Sequence, residues 1–277
     1  MDLFTLLIKT IQLRPYVFLF LAVSLISATR LLGWRRTGLF FSITCGTAFL
    51  CEWSSVRTGI PFGRYHYTGI TVGQELYLSN IPFMAPLSYT YLLYASYCLA
   101  LFFLLPLRNQ GEPHSTKTPE PVMDPPIRIS RPVLWLTTCF FVLIDVVIDP
   151  VALRGEQWFL GRVYYYADPG IHFGVPLANY LGWVVVGLIA LTVYDLFNRR
   201  LDSETWSRSE AATGMILLGC ALYYGMLLFI LAIAFWIDEP LLVMTGVLIY
   251  LPIATQFVLR LLGSYQSAKS KSAVGTS

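Results

Sequence analysis

The stretch TGLFFSITCGTAFLCEWSSVRTGIPFGRYHYTG, residues 37–69, holds both halves of the fold problem. Up to Leu50 it is almost continuously apolar, and a helix of roughly 20 apolar residues rises about 30 Å, the thickness of a bilayer's hydrocarbon core. From Glu52 onward it carries a carboxylate, Arg57 and Arg64, His66 and three-fold glycine punctuation at Gly59, Gly63 and Gly69. A membrane span therefore runs straight into a cluster of polar side chains.

Working outward, further apolar stretches of spanning length lie at 15–33, 82–107, 132–153, 175–196, 211–236 and 239–262. The chain is 56% hydrophobic and only 13% charged, against roughly 25% charge in soluble domains. The expected fold is all-α: a polytopic integral membrane helical bundle of about seven transmembrane helices. Lys9 and Arg14 ahead of the first stretch give it a signal-peptide look, but the apolar part is long and no small-x-small cleavage pattern follows, so it reads as a helix. Residues 1–265 form one transmembrane domain, residues 108–131 a Pro-rich, charged, flexible connector containing His114, and residues 266–277 a disordered tail.

Lys and Arg are distributed unevenly between the two sides of such a bundle. Arg30, Arg35, Arg36, Arg108, Lys117, Arg128, Arg131, Arg199, Arg200, Arg208, Arg260, Lys269 and Lys271 share one side, which the positive-inside rule makes cytoplasmic. The connector and the C-terminus are then expected to be cytoplasmic, and the membrane itself is expected to be a prokaryotic cytoplasmic membrane. The net charge of +3 includes no basic cluster of the kind that grips nucleic acid. The five cysteines, without CxxC spacing, read as buried thiols. Neither a GxGxxG nor a Walker motif is present, so no cofactor is expected.

The two segments on the opposite side, 57–81 and 154–174, are rich in Tyr, Trp, Gly, Arg and His, and each contains a GIxFG string, at 59–63 and 170–174. The strings raise the expectation of a weak internal duplication with a site at its interface; the plainer alternative is interfacial turns and an aromatic belt. Carboxylates inside a membrane are costly and need partners or a task. Glu52 lies near the end of the second span, and DVVIDP places Asp145 and Asp149 on one helical face near the end of the fourth. Pro150 is expected to end or kink that helix at Asp149. Alternating topology brings these acids and Asn179 to one membrane face, while Asp195, followed by Arg199, reads as a solvated helix end. Pairing of the acids with Arg57, Arg64, Arg154 or Arg162 is the structural alternative to catalysis.

EWSSVRTGIPFGRYHYTG, NIPFMAPLSY, DVVIDP and Trp158 followed at fixed spacing by FGVPLANYLGW (173–183) together resemble the carotenoid biosynthesis membrane protein family, over about residues 37–190. That family includes carotenoid hydratases, so the resemblance implies an enzyme that adds water to the terminal C=C of a linear carotenoid, with membrane lipid and other enzymes of the same pathway as partners. The chemistry requires a carboxylic acid held protonated, because an alkene is a weak base, followed by capture of a tertiary cation by water. Asp145 or Asp149 is the candidate donor, and Glu52 the group that positions or deprotonates water. Trp53, Arg57, Tyr65, His66, Tyr67, Trp158, Tyr164, Tyr165, Tyr166, His172 and Asn179 are candidates for substrate binding, the aromatics through cation–π attraction. No metal ligand set is expected. The rival readings are a Mg²⁺-dependent membrane prenyltransferase or cyclase using DVVID, and a non-enzymatic carotenoid or lipid carrier or transporter. Only 3 histidines argue against a di-iron desaturase, and the lack of lysine in 239–262 argues against a retinal protein.

Overall fold

A computed structural model describes residues 2–105, 108–110, 120–122, 129–201 and 210–274. A short helix α1 (Leu3–Leu13), not foreseen from the sequence, starts at an N-cap where the Thr5 N–H donates to Asp2 Oδ1 at 2.9 Å. It is followed by α2 (Pro15–Leu32), α3 (Trp34–Thr58), strands β1 (Tyr65–Tyr67), β2 (Tyr77–Leu78) and β3 (Ile81–Pro82), then α4 (Met84–Leu104). Strands β4 (Arg108–Gln110) and β5 (Glu120–Val122) precede α5 (Arg131–Ala152); β6 (Tyr164–Tyr166), α6 (Leu177–Asn198), α7 (Glu210–Trp236) and α8 (Pro240–Val274) complete the chain. The 7 helices α2 to α8 are each long and apolar enough to cross a membrane, and except for the C-terminal end of α8 their limits lie within a few residues of the expected spans. The protein is an integral membrane helical bundle.

Helix α4 is the axis of the bundle. It is buried along nearly its whole length and packs against α2, α3, α5 and α7, while α6 fills the gap between α3 and α5 and α8 lies outermost against α7 and α5. Where helices meet in lipid, association depends on close van der Waals fit and satisfied polar groups. Ser27 illustrates the second point: its hydroxyl donates to the Met215 carbonyl at 2.7 Å and lies 2.8 Å from the Tyr94 hydroxyl, tying α2 to α7 and α4.

One end of the bundle carries the two aromatic loops. Helix α3 stops at Gly59, whose φ of 83° is a left-handed conformation that glycine adopts without strain. The Gly59 N–H donates to the Ser55 carbonyl at 2.8 Å and the Phe62 N–H to Ser55 Oγ at 2.9 Å, so the chain folds back over the helix end. Strand β1 then pairs antiparallel with β6, Tyr65 opposite Tyr166 and Tyr67 opposite Tyr164, joining loop 59–83 to loop 153–176. The N-terminal segment is clamped to the same layer by a fully buried ion pair, Arg14 to Glu75 at 3.1 Å, with Arg14 also donating to the Leu160 carbonyl at 2.7 Å.

Several expectations are corrected. Helix α5 passes through Pro150 and ends at Ala152; a proline this close to a C-terminus forfeits one ladder hydrogen bond, which leaves both acids helical. Helix, loop and helix do occur twice, as α3 to α4 and as α5 to α6, but GIPFG lies between α3 and β1 whereas GIHFG lies between β6 and α6, so string and strand occur in opposite order. Asp195 is not a solvated helix end. It is buried, accepts from the Ile129 N–H at 3.1 Å and from Arg199 Nε at 3.0 Å. Helix α8 continues to Val274 through most of the tail expected to lack order, since 264–274 contains no Gly or Pro to stop it. Within the connector β4 and β5 pair antiparallel; the rest of it up to residue 128, His114 included, lies outside the described residues, as do 275–277.

Candidate active site

The C-terminal turns of α3 and α5, the N-terminal turns of α4 and α6, and strands β1 and β6 surround a cavity of about 190 Å³. Glu52, Asp145, Asp149 and Asn179 all line it, the convergence that alternating topology implies. Each is buried. Asp145 and Asp149, one helical turn apart, are bridged by a single group: Asn179 Nδ2 donates to Asp145 Oδ2 at 2.7 Å and to Asp149 Oδ2 at 3.1 Å.

The three carboxylates differ in what faces them. Asp149 is met by three donors, the Tyr164 hydroxyl on Oδ1, the Tyr166 hydroxyl at 2.8 Å on Oδ2, and Asn179. Among the described residues Asp145 accepts only from Asn179. Glu52 accepts from the Tyr67 hydroxyl at 2.9 Å, with the Tyr89 phenol beside it. Burial, reinforced by the adjacent carboxylates, pushes the phenols of Tyr67, Tyr164 and Tyr166 well above the usual tyrosine range, so they remain donors. A carboxylate surrounded by donors is suited to carry charge, and one with a single donor is suited to hold a proton.

Strand alternation decides which aromatics reach the acids. Successive side chains in a strand point to opposite faces, so Tyr65, Tyr67, Tyr164 and Tyr166 line the cavity while His66 and Tyr165 pair with each other outside it, ring centroids 5.6 Å apart. Trp158 also lines the cavity, held by its indole N–H to the Val151 carbonyl at 3.1 Å. Trp53 and Arg57 do not: Trp53 is 43% exposed and carries the Arg57 guanidinium over its ring at 4.3 Å, an arrangement fit for the membrane surface. His172 is bonded through Nδ1 to the Tyr180 hydroxyl at 2.5 Å and is not part of the wall.

Three of the four arginines expected to pair with the acids have other contacts. Arg57 donates to the Trp53 carbonyl and Ser79, Arg154 pairs with Glu239, and Arg162 lies over Tyr165. Among the described residues no Lys or Arg lines the cavity. Pairing with these arginines therefore does not account for the buried acids; tyrosines and one asparagine do. Among the described residues no group of three or more His, Cys, Asp or Glu is placed to hold a metal ion.

Sequence reasoning missed Tyr89 and Trp183, which stack at 4.3 Å and 17° against the acid end of the cavity, and Phe62 beside them. It also missed the contributions of α2 and α7, Tyr16, Phe20, Met226 and Phe229 among them. For the strands a period-2 reading of YHY and YYY would have separated inner from outer rings; for α2 and α7 the sequence holds no comparable signal.

Residues 13–252 match the family model described as carotenoid biosynthesis protein. A curated relative, the bisanhydrobacterioruberin hydratase of Haloarcula japonica, is 28% identical over 186 residues, which cover 66% of this chain and 54% of that protein. The chain thus spans about half the length of that relative. No solved structure matches it.

Proposed function

Because the chain belongs to the carotenoid biosynthesis protein family, and so has a role in carotenoid biosynthesis, we propose that it is a hydratase adding water to the terminal trisubstituted C=C of a linear carotenoid. The observation that carries this reading is the pair of aspartates bridged by Asn179 inside a cavity walled largely by aromatic side chains. Two interacting carboxyl groups share protons as a pair, and three donors at Asp149 against one at Asp145 support a reading in which Asp149 carries the charge and Asp145 the proton.

In the reaction the Asp145 proton adds to the alkene CH carbon, the π bond breaks, and a tertiary cation forms on the dimethyl carbon. The rings of Tyr65, Tyr67, Tyr89, Tyr164 and Tyr166 line the cavity that would take this end group, each face worth roughly 0.5–2 kcal/mol to a desolvated cation. Water attacks the cation and Glu52, oriented by Tyr67, takes its proton. One C–H and one C–O bond have formed, and the proton on Glu52 returns to Asp145 through solvent before the next turnover. The polyene stays in the lipid and offers only its end, so no soluble domain is needed. We place the site at the membrane face opposite the arginine-rich end, away from the cytoplasm.

A diphosphate-using enzyme would require cationic residues around the phosphates, and the described residues of the cavity wall include none. The test is expression in a host that accumulates linear carotenoids, followed by mass spectrometry of the pigments. The expected result is a gain of one water per modified end, with oxygen from labelled water. Unchanged pigment would overturn the hydratase reading in favour of a carrier.

A further inference from the structure

The cavity has a second end that hydration does not use. Tyr16, Phe20, Tyr91, Met226, Phe229 and Ile230 form its wall there, from α2, α4 and α7, and neither α2 nor α7 adds a carboxylate or amide. The rings make a continuous set: Tyr16 stacks on Phe229 at 5.5 Å and 27°, Phe20 meets Phe229 edge-on at 5.7 Å, and Phe20 lies 5.9 Å from Tyr91. The rings around the acids make another set, linked through Phe62 and Tyr65. Among the described residues no ring contact joins the two sets, and what connects them is the cavity itself.

At about 190 Å³ this space is smaller than the roughly 300–1,000 Å³ pockets that enclose drug-sized ligands. A long polyene can place only its end inside, and the remainder must leave toward lipid. Tyr16, Phe20 and Phe229 are half-buried, and the chain neighbours Leu19 and Leu228 are 61% and 66% exposed on the bundle's apolar surface. At this seam the residues of the cavity wall adjoin the exposed apolar surface of α2 and α7.

We propose that this arm reads the conjugated chain: Tyr16, Phe20 and Phe229 bind the flat polyene segment next to the reacting end and thereby select conjugated substrates over flexible alkenes bearing the same terminal double bond. A planar polyene offers its whole face to dispersion contact with aromatic rings. Its rigidity also means that little rotamer freedom is lost on binding. The proposal rests on the hydratase reading for turnover, but its binding component is independent of it.

The test uses the full chain in lipid nanodiscs with a linear conjugated carotenoid and with squalene, a non-conjugated alkene that has the same isopropylidene end. Binding is followed by polyene quenching of tryptophan fluorescence with squalene as competitor, and turnover by product mass. The wild type should prefer the polyene by at least about tenfold, a ratio within reach of apolar pocket contacts. Phe20→Ala and Phe229→Ala should remove that preference while changing squalene binding less than about twofold, and Phe229→Trp should keep it. Equal loss toward both ligands, or no preference in the wild type, would overturn the proposal. A wild type that prefers the polyene yet adds no water would sink the hydratase reading and leave the arm standing. Equal hydration and binding of both ligands would do the reverse.

Discussion

Asp145→Asn and Asp149→Asn make the same chemical change in two unlike settings. Asp145 accepts a single hydrogen bond, from Asn179 at 2.7 Å, and an asparagine there can keep its carbonyl oxygen toward that donor. Its effect on stability should be small. Its effect on rate should be large, because a general acid contributes roughly 10²–10⁴-fold, or about 3–5 kcal/mol at 1.36 kcal/mol per decade. Asp149 receives Tyr164 on one oxygen and Tyr166 and Asn179 on the other. Whichever way an asparagine turns, its NH₂ faces a donor, and a buried polar group left unsatisfied costs about 1–3 kcal/mol. The assay is thermal unfolding of each purified variant in detergent alongside mass-spectrometric quantification of hydrated product. Asp145→Asn should unfold like wild type with product reduced at least about 10²-fold, and Asp149→Asn should unfold at a lower temperature. A fully active Asp145→Asn beside an inactive but normally stable Asp149→Asn would refute the division of roles.

Tyr67→Phe removes the donor at 2.9 Å from Glu52; a hydrogen bond to a charged group is worth about 1.5–3 kcal/mol, so hydration should fall by roughly 10- to 100-fold. In a double-mutant cycle with Glu52→Gln the two losses should be clearly less than additive, and strict additivity would show that Tyr67 does not act through Glu52. Gly182→Ala would set its new Cβ 2.2 Å from Phe62 Cδ1, pushing that buried ring into the cavity it lines. Overpacking of this kind costs about 1–3 kcal/mol, and activity should fall more steeply than stability, measured on the same preparation. Glu75→Gln leaves Arg14 buried without its counter-charge, and breaking a buried pair costs about 3–5 kcal/mol. The expected result is a markedly lower unfolding temperature, and unchanged thermal stability would show that the pair does not fasten the loop layer.

The spans and their approximate limits were legible because a bilayer imposes a length and a polarity on each helix, and both are written in consecutive residues. The same reasoning brought Glu52, Asp145, Asp149 and Asn179 to one end, since antiparallel helices return to the same face. It failed at Pro150, where a local rule about the preceding residue was outweighed by the nearness of the helix end. Trp53, Arg57, His66, Tyr165 and His172 do not line the cavity, although Trp53 and Arg57 sit at the end of α3 and the other three in the loops that build it.

Composition and periodicity by themselves determined a membrane bundle with buried acids at one end, because hydrophobic span length and the cost of an intramembrane charge are properties of the chain taken segment by segment. Only the tertiary structure decided that Asn179 bridges the two aspartates, that tyrosines rather than arginines meet the carboxylates, and that α2 and α7 build an aromatic arm. Those features depend on which faces of distant helices and strands are turned toward one another, and that rotation is set by packing across the whole bundle, to which no single segment holds the key.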